Sequence, residues 1–195
     1  MIYVERNMLN LNLGSGNKKI KNYINLDKFD TFKPDIVHDL ENFPYPFEDN
    51  SVDNIVLSHV LEHIGQNPDD FNNIMKELYR ICKNGSLIDI TVPHPRHDDF
   101  LSDPTHVRPI TVLGMSLYDQ EQNNQWIKNN AANTPLGIIH NVNFKVKSVR
   151  YDVVKEYMDM LEEKKITQAQ LGKLIEKYNN VAKQIYIQLE VIKLT

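Results

Sequence analysis

Short apolar runs, each closed by a turn residue or an acid, set the rhythm of the first half of the chain. "MLNLNLG" alternates and stops at Gly14, "YINLD" stops at Asp27, and "PDIVHDL" stops at Asp39. Such runs predict buried strands. "VDNIVLSHVLEHI" begins as a fourth strand and is predicted to turn helical at about His59. "DDFNNIMKELYRICKNG" then carries apolar residues at helical spacing, with Gly85 where a helix C-terminus favours glycine. "SLIDITVP" is a further strand. Apolar strands alternating with helices predict a mainly parallel sheet covered on both faces.

The rhythm breaks from His94 to Arg108, a stretch with prolines, three histidines and three aspartates. It is predicted to be a long loop, functional or ordered at the surface. "TVLGMSLYDQEQNNQWIKNN" follows as a predicted helix. "NFKVKSVRYDVV" and "KQIYIQLEVIKL" alternate as strands, separated by a polar helical stretch from Lys155 to Tyr178. Two such strands can pair antiparallel at one edge. The expected fold class is therefore α/β, a doubly wound three-layer sandwich with a mainly parallel sheet and an antiparallel C-terminal strand.

Composition narrows the picture. A chain of 195 residues suits one domain, 1–195, and its formal net charge of −4 offers no broad basic surface for nucleic acid. The lone cysteine, Cys82, can form neither an intramolecular disulfide nor a thiolate cluster, and reads as a small core residue. No apolar run is long enough to span a bilayer, and "MIYVERNMLN" carries charge where a signal peptide would be apolar. A cytoplasmic protein with no membrane partner is expected.

The turn "LNLGSGNKK" carries the first chemical signal. A dinucleotide fold uses Gly-x-Gly-x-x-Gly and rests the pyrophosphate on a helix N-terminus. Here Gly14 and Gly16 are present, but Lys19 holds the third position. About a dozen residues lie between Gly14 and Asp27, too few for a full helix and a strand. The turn therefore suits a cofactor without phosphates. S-adenosylmethionine, whose sulfonium is itself positive, has no need of a strong helix N-terminus.

Taken as a series, "LNLGSGNKKIKNYINLD", "DIVHDLENFPYPFEDNSVDNIVLSHVLEHI" and "ELYRICKNGSLIDITVP" resemble the class I S-adenosylmethionine-dependent methyltransferases, in a branch with a shortened first helix. The resemblance covers roughly residues 9–93. It implies that Gly14 and Gly16 line the methionyl part of the cofactor and that Asp27 accepts from both ribose hydroxyls. Asp39 and the backbone of Leu40 would meet the adenine, while Ser58 and His59 would close over the methionyl side. The chain departs from the family pattern at Asn12, where an acid is common. As plain turn chemistry, Asp27 and Asp39 could simply end strands.

His59 and His63 are four residues apart and would share a helix face, but "HVLEH" lacks the metalloprotease order. His59 is expected beside the cofactor and His63 as a hydrogen-bonded packing residue. The loop "HPRHDDFLSDPTHVRPIT" follows the fifth strand, where the resemblance places the acceptor. Methyl transfer to a hydroxyl needs alignment and a base. Histidine has the natural pKa for that base, so His97 and His106 are the candidates. Asp98, Asp99 or Asp103 would orient the ring, and Arg108 could clamp an acidic group of the acceptor. A divalent ion held by this loop is a rival reading, as is a plain Asp103-Pro104-Thr105 turn capped by His106. No metal ligand is assigned.

The expected function is O-methylation of a sugar or glycan precursor, with S-adenosylmethionine as cofactor and a small-molecule or glycan acceptor as partner. The acceptor site would lie in a loop and helical insert at about 94–135, with Tyr118 and Trp126 as candidate stacking surfaces, although aromatics are more often core residues. The rival from another class is a cofactor-binding subunit without transferase activity. A nicotinamide oxidoreductase is opposed by the missing third glycine. A nucleic-acid methyltransferase is opposed by the absent basic stripe and by "LSHV" where an Asn/Asp-Pro-Pro-Tyr tetrapeptide would stand.

Overall fold

A computed structural model describes residues 8–193. The charged extreme N-terminus, read above as unlike a signal peptide, lies mostly outside these residues. Seven strands form one sheet: β1 (Asn10–Leu13), β2 (Ile24–Asp27), β3 (Ile36–Val37), β4 (Val52–Ser58), β5 (Cys82–Pro93), β6 (Phe144–Val153) and β7 (Ala182–Val191). Their order is β3-β2-β1-β4-β5-β7-β6. The first five are parallel; β7 runs antiparallel to both β5 and β6. With helices on both sides, this is the expected sandwich. The paired edge β7 and β6 also matches the alternating C-terminal runs.

Burial explains the strand signals. Leu11 and Leu13 of β1 have no exposed surface, and Asn12 between them is also buried, so this strand is covered on both faces. They join one core with Ile55 and Leu57 of β4, Ile88 and Ile90 of β5, and Ile187 and Leu189 of β7. Helix α1 (Pro68–Ile81) packs Phe71, Ile74, Met75, Leu78 and Ile81 into it. Its start is written locally: the Asn67 side chain accepts from the Asp69 amide, Pro68 opens the first turn, and Asp69 and Asp70 sit at the positive end.

The end of α1 differs from expectation. Gly85 does not cap it; the helix stops at Ile81 and Cys82 is already extended, paired with Val52. The carbonyls of Arg80 and Ile81 are taken by the amides of Asn50 and Ser51, at 3.0 and 2.9 Å, so no glycine cap is needed. Gly85 instead takes φ +81° inside β5, where the register with β4 shifts. Cys82 is fully buried, and burial pushes its thiol up to about 12. It is therefore expected to stay silent towards a thiol reagent until the protein unfolds. Labelling of the native protein as fast as of the denatured chain would contradict this burial.

Two other helical expectations break into pieces. The stretch after Arg108 forms α3 (Val112–Ser116) and α4 (Gln120–Lys128), after the single turn α2 (Asp98–Leu101), and is followed by α5 (Leu136–Ile139). The break at 117–119 occurs where the Asp119 side chain caps α4, accepting from the Gln122 amide. The stretch before β7 forms α6 (Lys155–Glu162) and α7 (Gln168–Lys177), the latter opened by a Thr167/Gln170 capping box. No helix among the described residues is long and apolar enough to cross a membrane.

Candidate cofactor and acceptor site

Strand order reverses between β1 and β4, and ligands of open α/β sheets bind beyond the strand ends at such a point. A cavity of about 210 Å³ lies there. Its wall includes Gly14, Asp27, Asp39, Leu40 and His59 of the predicted cofactor residues. Apolar cover comes from Leu26, Phe29, Phe32, Val60 and Ile64. Gly16 and Ser58 are not part of that wall. Gly16 acts on it indirectly: its amide donates to Asp27 Oδ2 at 2.8 Å.

No helix follows β1; residues 14–23 form successive turns. What holds them is a polar network that the pattern of apolar residues could not reveal. The buried Asn12 amide donates to the Lys18 carbonyl and to Asn25 Oδ1, both at 2.9 Å. Asn25 Oδ1 also accepts from the Ile20 amide at 2.8 Å, and Asn25 Nδ2 donates to the Tyr23 carbonyl. Asp35 Oδ2 anchors the far side, accepting from the backbone and side-chain nitrogens of Asn25 at 2.8 and 2.9 Å. Asn12, noted above only as a departure from the family pattern, is therefore an organiser of the loop.

Those two bonds from Asn25 hold the Asp35 carboxyl below the usual carboxylate range. A depressed folded pKa means that its contribution is present above the unfolded value and is lost as pH falls through the folded one. The Asn25 amide shift is accordingly expected to titrate below the ordinary carboxylate range, read by NMR. A midpoint at or above that range would count against the tether.

Asp27 is buried, and its two oxygens are aimed by backbone donors, Oδ2 by Gly16 and Oδ1 by the Phe29 amide at 2.9 Å. A carboxylate offers about four acceptor sites, which leaves two for a vicinal diol. Asp39 accepts from the Glu41 amide at 3.0 Å, and the Leu40 carbonyl accepts from the buried Tyr45 hydroxyl at 2.9 Å. Gly14 sits at φ +66°, and a Cβ there would stand 2.5 Å from Val60 Cγ2, so the chain can approach this closely only as glycine. An apolar slot, a fixed acid and a bare backbone suit a nucleoside with no phosphates.

His59 and His63 do not share a helix face. His59 adopts φ +56°, and only a single 3₁₀ turn, Leu61–His63, follows it. Both histidines nevertheless reach the cavity wall. Nδ1 of His59 lies 3.3 Å from Oε1 of the fully buried Glu62, whose carboxyl raises the imidazole's pKa. The sequence reading gave Glu62 no part.

The His- and Asp-rich loop folds onto this region through its backbone. The amides of Val107 and Arg108 donate to the Glu62 carbonyl, at 2.8 and 3.2 Å. His106 stacks on Phe100, its ring 4.6 Å from that of His63. Its Nδ1 bonds to the Phe100 carbonyl at 2.8 Å, and its Nε2 stands 3.8 Å from Asp103 Oδ2. His63 Nδ1 meets Thr105 Oγ1 at 2.9 Å, and that hydroxyl donates to Asp103 Oδ1.

His97 and Arg108 have other contacts. His97 caps α2, its Nδ1 accepting from the Asp99 amide, and is absent from the cavity wall. Arg108 donates from Nε and Nη2 to the Gly65 carbonyl and lies over Phe71, 4.4 Å from its ring centre. Of its two readings Tyr118 takes the core one: it is buried, and its hydroxyl donates to Asn72. Trp126 stays partly exposed on α4.

Residues 12–89 match the family model described as a methyltransferase domain. This match and the shared fold support a class I S-adenosylmethionine-dependent methyltransferase. No curated protein matches it. The fold of the chain is shared with an S-adenosylmethionine-dependent methyltransferase from Archaeoglobus fulgidus, at 16% identity and TM-score 0.57, covering 94% of this chain and 86% of the other. A second from Mesorhizobium loti is 13% identical, with TM-score 0.52 and coverage of 94% and 91%. Phosphoethanolamine N-methyltransferase 2 of Haemonchus contortus, solved with S-adenosyl-L-methionine, is 12% identical at TM-score 0.52, covering 97% of this chain and 50% of the other. The chain shares the fold of all three over nearly its whole length.

Proposed function

We propose that the protein is a cytoplasmic methyltransferase that methylates a hydroxyl of a sugar or glycan precursor. The carrying observation is the meeting of His63 and His106, 43 residues apart in sequence, at the rim of the cavity that Asp27 and Gly14 help to form. When bound, S-adenosylmethionine supplies a methyl group for in-line displacement. Asp27 holds the ribose and so fixes the cofactor along the cavity. Asp39 and Leu40 orient the adenine at the other end. His106 activates the acceptor hydroxyl: its Nδ1 is tethered to the Phe100 carbonyl, which leaves Nε2 as the working atom, with Asp103 beside it. His97 and Arg108 shape the loop that carries it.

Calorimetric titration with S-adenosylmethionine and S-adenosylhomocysteine, followed by turnover on a panel of sugar acceptors, tests this reading. His106→Ala is expected to spare cofactor binding and cut turnover about a hundredfold, the order typical of a lost acid-base group. Unchanged turnover would retire His106. Tight cofactor binding with no turnover on any hydroxyl acceptor would favour the binding-subunit reading instead.

A further inference from the structure

We infer that Glu62, His63 and His106 form a binding site for one divalent first-row transition-metal ion at the rim of the cofactor cavity. One ligand atom from each lies within 4.8 Å of the others. Two features of their surroundings favour a cation there.

The first is the Glu62 carboxyl. The side chain is fully buried; Oε1 meets His59 Nδ1 at 3.3 Å, and Oε2 has no hydrogen-bond partner among the described residues. A buried carboxyl in that state costs free energy unless something positive or a donor meets it. Glu62 is placed there by its own 3₁₀ turn and by the loop amides that close on its carbonyl, so it cannot easily turn away.

The second is which nitrogen each imidazole has left to offer. Thr105 has one hydroxyl proton and spends it on Asp103 Oδ1 at 2.6 Å, so towards His63 it can only accept. His63 Nδ1 therefore carries the proton, and its Nε2 carries the lone pair. His106 Nδ1 faces a carbonyl, the Phe100 oxygen, so it too is protonated and its Nε2 is the free acceptor. Metal-bound histidines characteristically donate their second nitrogen to a carbonyl or a carboxylate-linked group, which sets the tautomer in this way. Here both do, one directly and one through Thr105 to Asp103. Two imidazole nitrogens and a carboxylate oxygen are a donor set that suits zinc, iron, cobalt or manganese and leaves positions open.

Bonds of about 2.1 Å to a tetrahedral ion would bring ligand atoms to about 3.4 Å apart, so the three side chains would close by roughly an ångström on binding. Because His59 and His63 also line the cofactor cavity, the open positions would face it. An acceptor hydroxyl taken there would lose its proton to solvent more readily, the ion replacing His106 Nε2 as the activating group, because a nitrogen that ligates a metal cannot also act as base. That last role rests on the proposed O-methylation; the site itself does not.

Cobalt(II) is the probe, titrated into untagged, chelator-treated full-length protein and followed by its visible d–d absorption. A saturable spectrum at one equivalent, displaced by zinc, is expected. His106→Ala should abolish it, and Thr105→Val, on an exposed loop position, should weaken cobalt about tenfold or more by releasing His63. Absence of the spectrum in the native protein, or its survival undiminished in His106→Ala, overturns the site. S-adenosylmethionine titrated into the same samples reports separately on the cofactor cavity, and no step of the metal test depends on turnover.

Discussion

Asp27→Ala is expected to weaken S-adenosylmethionine binding about a hundredfold. Each hydrogen bond from a hydroxyl to a charged acceptor contributes roughly 1.5 to 3 kcal/mol, and a ribose offers two, so a loss of about 2.7 kcal/mol, just under the lower end of their sum, is a conservative expectation. The effect has a second source in the chain itself. Asp27 is the acceptor for the amides of Gly16, in the turn after β1, and of Phe29, just after β2. Removing it frees both segments, so the variant must order them again on binding. Asp27→Asn keeps one acceptor oxygen and should fall between the variant and the native protein. Calorimetry decides the matter: affinity within twofold of native in Asp27→Ala would sink the ribose assignment.

The largest expected effect on stability comes from a glycine outside every motif. At Gly65 the backbone has φ +66°, and a Cβ would stand 2.7 Å from Phe71 Cβ and 2.8 Å from its Cα. Backbone in the first turn of α1 cannot yield as a flexible side chain could. Three segments also meet at this residue. Its amide donates to Glu41 Oε1 at 2.9 Å, its carbonyl accepts from Arg108 at 2.7 Å, and Phe71 lies under the Arg108 guanidinium. Gly65→Ala should therefore combine left-handed strain of about 1 to 3 kcal/mol with overpacking of similar size, roughly 4 kcal/mol in all. For a chain of this length that is about a 12 °C fall in the unfolding midpoint. A loss of stability under about 1 kcal/mol in a denaturant titration would show that α1 can shift to make room.

Sequence and structure agree where local pattern governs. β1, β2 and β4 were legible because Leu11, Leu13, Leu26, Ile55 and Leu57 are core residues in runs bounded by turn residues. Gly14, Asp27 and Asp39 meet at one cavity because they end those runs, and a parallel sheet brings strand ends together. Agreement fails where distant segments decide. Gly85 was expected to cap α1, but the backbone at Asn50 and Ser51, some thirty residues earlier, already satisfies the last carbonyls. Tyr118 reads from sequence as either a stacking surface or a core residue, and only its partner Asn72 on α1 decides for the core. Glu62 carries no signal in sequence at all, because its importance arises from burial and from a histidine 44 residues away.

The placement of β7 between β5 and β6 constrains the order of assembly. β1 to β5 can pair with one another as soon as residues up to Pro93 are available. β6 comes next in the chain but has no place in the sheet of its own, since every strand pairing it makes is with β7. It must wait, with Phe144 and Val146 uncovered, through α6 and α7 until Ala182–Val191 arrives and zips both neighbours at once. Non-local pairing of this kind is slow and leaves an open strand edge meanwhile. The half-built protein therefore carries its greatest risk of self-association late, after the cofactor end of the sheet can already have formed.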